Sequence, residues 1–235
     1  MSIDWTKHPS FEEIINDKEF QSAFSKMHTE SYINDEKTLF IKLKKELNLL
    51  NELINRLKAT GIDLTLSNWY KDLDEIYIPE AIQHFNKVFD ETRNIDIITE
   101  DKLWMRKNSD SLFSTIEKFT KFIVLEIFGK KCKKWNDAII KLDDIKTIQS
   151  IKNVAPNNED ELNKILNYVC FTLDSWRQLY NSNKHDINKE KNNIVENQQE
   201  KSMIVCANDV LDFIHEFVHI INLLLPFLLI IKTKK

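Results

Sequence analysis

The residues best suited to chemistry lie together in WRQLYNSNKHD, from Trp176 to Asp186. Arg177 brings a cation that stays charged at any physiological pH. Tyr180, Asn181, Asn183 and Lys184 add polar groups, and His185 adds an imidazole that titrates near neutrality. Chemistry is expected at this point because an amphipathic helix runs out of apolar residues there. Upstream, Leu162, Ile165, Leu166, Val169, Leu173 and Trp176 recur at three- and four-residue steps and predict one buried stripe. Asn158 as N-cap, with Glu161 three residues on, frames the start of that helix. After Trp176 the stripe stops and the polar residues follow.

Two other groupings carry possible chemistry. Lys130, Lys131, Lys133 and Lys134 form the densest positive patch in the chain, and the neighbouring Trp135 could stack on a nucleic-acid base. The same residues also read as a solvated corner with Trp135 turned into the core, since lysines after a helix C-terminus answer its dipole. His215, Glu216 and His219 match the H-E-x-x-H pattern, in which two imidazoles one helical turn apart hold zinc and the glutamate polarises a water. Context argues against that zinc-peptidase alternative, because no His, Asp, Glu or Cys follows His219. Two histidines on a partly exposed helical face, closing hydrogen bonds, is the simpler reading.

The elements that must position these groups read as helices almost throughout. The chain has 235 residues, 42% hydrophobic and 30% charged, which is enough to bury a sizeable core. Its two glycines, Gly61 and Gly129, and four prolines leave little material for hairpins or glycine-rich phosphate loops. The net charge of −4 excludes a generally cationic nucleic-acid coat, so any phosphate contact must be local. Cys132, Cys170 and Cys206 are odd in number and far apart, which suggests neither a disulfide framework nor a zinc knuckle. With no secretory signal in MSIDWTKHPSFEE, the expected location is the cytoplasm.

In chain order, the capping pair Ser10 and Glu13 predicts a first helix to about His28. A second, Asp35 to Ala59, carries Phe40, Leu43, Leu47, Leu50, Ile54 and Leu57 as a seam, with Gly61 as its stop. That seam is short enough for packing within the chain, although a partner helix would also fit. Leu66 to Ile78 predicts a short helix and a tight corner before Pro79. The polar connection from Thr92 to Asp96 marks a boundary between an N-terminal helical layer, 1–96, and a bundle over 97–235, unless the two form one continuous domain. Thr99 to Phe128 predicts a helix kinked or divided at Lys107 to Asp110 and ended by Gly129. Ala138 to Ile151 predicts another, and Asp186 to Lys201 a mobile polar loop. The last helix, about Glu200 to Ile231, ends in LLLPFLLII with Pro226 as a kink. It reads as a core helix, since a span of bilayer length takes in Asn222, His219, Glu216 and His215, with a short C-terminal anchor or partner surface as alternatives. The fold class is all-α, a bundle of about seven to nine helices with a long apolar C-terminal helix.

Over 97–235 this layout resembles the HEPN superfamily of helical nucleic-acid enzymes and binders. There a helix ends in an arginine followed by a histidine, a loop follows, and a long apolar helix closes the bundle. Arg177, His185, the Asn/Lys-rich loop and the C-terminal helix hold those places here. The spacing from Arg177 to His185 is longer than the family's usual one, and Gln178 follows the arginine. The resemblance implies a metal-independent endoribonuclease of toxin–antitoxin or phage-defence type, with no cofactor, RNA as substrate, and a homodimer or cognate partner protein. RNA cleavage needs a base near the 2′-hydroxyl and a cation on the phosphate, roles that fall to His185 and Arg177. On an unbroken helix the two lie ~12 Å apart along the axis and ~80° around it, so convergence requires the helix to end near Asn181. The alternative of another class is a non-catalytic interaction module that docks a partner on its apolar C-terminal helix.

Overall fold

The computed structural model describes residues 18–88, 97–153, 159–186 and 210–233, and no strand occurs among them. Their order is α1 (Lys18–Ala59), a 3-10 turn (Leu64–Leu66), α2 (Asn68–Asp72), a π turn (Leu73–Tyr77), α3 (Ile78–Val88), α4 (Ile97–Phe128), α5 (Trp135–Asp143), a 3-10 turn (Asp144–Thr147), α6 (Gln149–Lys152), α7 (Glu159–Asp186) and α8 (Val210–Thr233). The all-α reading holds for every described residue.

The C-terminal helix α8 is the axis of the molecule. It packs on α1, α3, α4, α6 and α7, which explains why apolar residues run all round it. Leu211, Ile214, Phe217, Val218, Ile221, Leu224, Leu225 and Leu228 are all fully buried. At roughly 1.5–3 kcal/mol for each such side chain, this one helix supplies a large share of the hydrophobic driving force. By length and composition alone Leu211–Thr233 could cross a bilayer, with a mean hydropathy of 2.0. Its covering of neighbouring helices, rather than its length, is what makes it a core helix. The helix runs on through Pro226. The capping pair Ser10 and Glu13, and the stretch from 187 to 209 that includes most of the expected loop and Cys206, lie outside the described residues.

Several boundaries differ from expectation. The two helices expected at the N-terminus are one, α1, of 42 residues. No glycine or proline interrupts Lys18 to Ala59, so the uneven apolar spacing around Thr29 to Asn34 is not enough to end the helix. Its seam, Phe40, Leu43, Leu50, Ile54 and Leu57, is buried with Leu47 beside it, and the helix that covers it is α8 of the same chain. Gly61, at φ 89°, ends α1 as foreseen: Ile62 N–H donates to Leu57 O at 3.1 Å and Gly61 N–H to Lys58 O at 3.0 Å, the paired bonds of a Schellman cap. No sharp corner precedes Pro79, because the π turn joins α2 to α3 with Ile78 in helical conformation. A widened turn just before a proline accommodates the ring and the missing donor.

Helix α4 runs undivided for 32 residues, since the polar residues Lys107 to Asp110 contain no breaker, and Asp110 is exposed. Gly129, at φ 65°, ends it, donating to Leu125 O at 2.8 Å. The helix expected from Ala138 to Ile151 is broken instead. Thr147 turns its hydroxyl onto Asp144 O, and Ile148 adopts an extended conformation between the 3-10 turn and α6. One core cluster takes residues from every helix between Phe40 and Ile231, so the N-terminal layer and the C-terminal bundle share it.

Candidate nucleic-acid interface

Helix α7 positions the arginine. Its stripe is buried as its spacing dictates, with Leu166, Val169 and Leu173 fully covered, Leu162 and Trp176 nearly so, and Ile165 half-buried against them. The stripe does not stop at Trp176. Tyr180 lies one turn on and is 9% exposed, its ring 5.7 Å from that of Phe113 and 6.2 Å from that of Trp135. Tyr180 therefore belongs to the core as well as to the cleft wall, because a phenol ring four residues after Trp176 falls on the same helical face.

Arg177, beside that stripe, is half-buried and held by its own helix. Its Nε donates to Asp174 Oδ1 at 2.8 Å, and one terminal nitrogen stands 2.6 Å from the same oxygen. Gln178 donates to the other carboxylate oxygen at 2.7 Å. Burial alone would raise the Asp174 pKa, but the bonds from Arg177 and Gln178 outweigh it and hold the carboxyl below its ordinary range. The result is a guanidinium fixed in place and leaning toward the N-terminus of α7. Asp174 was not singled out in the sequence, although its three-residue spacing from Arg177 is the signal that could have found it.

Opposite Arg177 lies the lysine loop between α4 and α5. Trp135 is 5% exposed, and its indole N–H donates to Thr120 Oγ1 at 3.2 Å. Its ring is therefore part of the core and not available as a stacking platform, because an indole flanked by Thr120 and Tyr180 satisfies both its apolar face and its donor. Lys121 donates to Lys133 O at 2.6 Å and pairs with Glu117 at 2.6 Å. Lys134 is the N-cap of α5 and gives no side-chain cap, so the first turn of that helix presents donors favourable to an anion.

Between these elements is a cleft of about 380 Å³. Arg177, Tyr180 and Asn181 line it from α7, Lys133, Lys134 and Asn136 from the loop and the start of α5, and Glu117 from α4. Three cations thus face one carboxylate, and that carboxylate is already engaged by Lys121. Lys130 and Lys131 are exposed on the same loop but do not line the cleft.

The other members of the expected site fall elsewhere. Helix α7 does not end near Asn181 but continues through Asn183, Lys184 and His185 to Asp186. No glycine or proline stops it, and asparagines alone do not break a helix whose preceding turns are packed. The side chains of Asn183, Lys184 and His185 lie outside the described residues. The unbroken backbone sets His185 ~12 Å beyond Arg177 along the axis, in the direction away from which the guanidinium leans.

The H-E-x-x-H residues sit on α8 against α1 and α7. His219 Nδ1 is 3.0 Å from Glu46 Oε1, and Asn222 Nδ2 donates to Glu46 Oε2 at 2.6 Å and to its backbone carbonyl at 2.8 Å. Glu216 accepts a hydrogen bond from the Tyr168 hydroxyl. The rings of His215 and His219 stack 6.3 Å apart, and His215 Nδ1 is buried with no hydrogen-bond partner. Burial pushes the His215 pKa below its ordinary value, Glu46 opposing the shift, and burial pushes Glu216 up. Among the described residues no three His, Cys, Asp or Glu side chains are grouped to hold a metal ion. Glu216 and His219 tie α8 to α7 and α1, so His219 closes a hydrogen bond as expected, whereas His215 Nδ1 does not.

Comparison with protein families, curated proteins and solved structures finds no match for this chain, so the functional reading rests on its own geometry.

Proposed function

We propose that this chain binds single-stranded RNA in the Arg177 cleft and cleaves it without a metal ion, as a HEPN-like endoribonuclease of the toxin or phage-defence class. The observation that carries the reading is the convergence of Arg177 with Lys133 and Lys134 across one nucleotide-sized cleft. These cations come from segments far apart in the chain, in a protein whose net charge is −4. A phosphodiester seated there meets a fixed guanidinium and two ammonium groups, the arrangement that stabilises charge developing on a phosphate in the transition state. His185 acts as the base: it takes the 2′-hydroxyl proton, the 2′-oxygen bonds to phosphorus, and the 5′-oxygen leaves with a proton from solvent.

Because α7 is continuous and Arg177 leans back onto Asp174, one copy does not bring Arg177 and His185 to the same phosphate. The reading therefore places the reaction in a homodimer, with the arginine of one copy and the histidine of the other. The packing of most apolar residues of α8 within the chain favours this reading over the competing role, partner docking on the C-terminal helix.

The test is cleavage of a labelled single-stranded RNA in chelator. Arg177→Ala and His185→Ala should each abolish cleavage, and mixing the two inactive variants should restore activity, because a mixed dimer retains one complete site. Loss of cleavage in chelator, or failure of the mixture to regain any, would overturn it.

A further inference from the structure

Resting on this reading of the cleft, we infer that Lys121 is a positioning residue: it braces the lysine loop so that Lys133 and Lys134 face the RNA phosphates. Lys121 lies on α4, outside the cleft lining, yet its ammonium donates to the backbone carbonyl of Lys133 at 2.6 Å. Coulomb repulsion from the loop's own lysines would drive that ammonium away. Glu117, one turn earlier and 2.6 Å distant, offsets the repulsion. The next residue back, Thr120, receives the Trp135 indole N–H. Two consecutive residues of α4 thus anchor Lys133 and Trp135, and Lys134 is held between them at the head of α5 in an extended conformation.

The brace also gives Glu117 a purpose. A carboxylate in a phosphate-binding cleft is repulsive unless compensated, and here it fixes the cation that fixes the loop. The expected contribution is to pre-organisation, since an unbraced loop would order only on binding and lose affinity in doing so.

The test combines amide hydrogen exchange with RNA binding at several salt concentrations. Each phosphate-contacting lysine adds ~0.7 to the slope of log K against log salt for a single strand. Lys133→Ala with Lys134→Ala should therefore lower the slope by ~1.4. Lys121→Met alone should lower it by a similar amount, and all three together by no more. Lys121→Arg should restore most of it, and Lys121→Met should accelerate exchange across residues 131–136 while leaving the melting temperature nearly unchanged. A triple variant that loses ~2.1 would make Lys121 an independent phosphate contact and overturn the inference, as would unchanged exchange in Lys121→Met. If the unsubstituted protein binds no RNA, the reading of the cleft falls and with it the role of Lys121 there. Accelerated exchange would then mark the brace as purely structural.

Discussion

Replacing Asn222 by alanine tests whether the polar clamp between α1 and α8 stabilises the fold or merely decorates it. Asn222 is 5% exposed, and its amide nitrogen donates to both the carboxylate and the backbone carbonyl of Glu46. A hydrogen bond to a neutral acceptor contributes about 0.5–1.5 kcal/mol and one to a charged acceptor about 1.5–3, so losing both costs roughly 2–4 kcal/mol. The same amide carries a buried oxygen with no partner, and its removal returns about 1–2 kcal/mol. The net loss is ~2 kcal/mol, or about 4–8 °C in melting temperature for a chain of this size. Thermal unfolding followed by circular dichroism reads it directly. Asn222→Leu combined with Glu46→Leu should recover much of the loss, because exchanging a buried polar cluster for apolar packing is often neutral. A melting shift under ~1 °C for Asn222→Ala, or a coupling with Glu46→Ala below ~0.5 kcal/mol, would refute the clamp.

Leu173→Ala should cost roughly 2–5 kcal/mol in denaturant unfolding, because its side chain is fully enclosed and alanine leaves a cavity. Arg177→Ala should shift stability by less than about 1 kcal/mol, since its ion pair with Asp174 is within one turn and partly exposed. A large destabilisation there would make the arginine structural. The half-buried His215 has a folded pKa below its ordinary 6.5, so the unfolded state binds the proton more readily and stability should fall as pH drops below that value. Melting temperatures from pH 8 to pH 5 should show this decline, and His215→Phe should flatten it; an unchanged slope would mean that His215 is not its source.

The sequence alone determined what is local. Gly61 and Gly129 end helices because each sits at a positive φ that other residues resist, and no neighbour is needed to predict it. The buried residues Leu162, Leu166, Val169, Leu173 and Trp176 could be named from three- and four-residue spacing, since helical geometry converts spacing into a face. Scarce glycine and continuous periodicity likewise pointed to an all-α chain. What covers each face was a tertiary matter, because burial of apolar surface is non-directional and a stripe does not name its partner. The α1 seam fitted a foreign helix as well as α8, and only packing chose α8. Tyr180 read as a polar site residue past the end of the stripe, and only the rings around it showed that it belongs to the core as well as to the cleft wall. Arg177 and His185 read as one site on the assumption that α7 ended between them. The fold continued that helix to Asp186 and brought Arg177 to Lys133 and Lys134, a pairing across two helices that no spacing rule encodes.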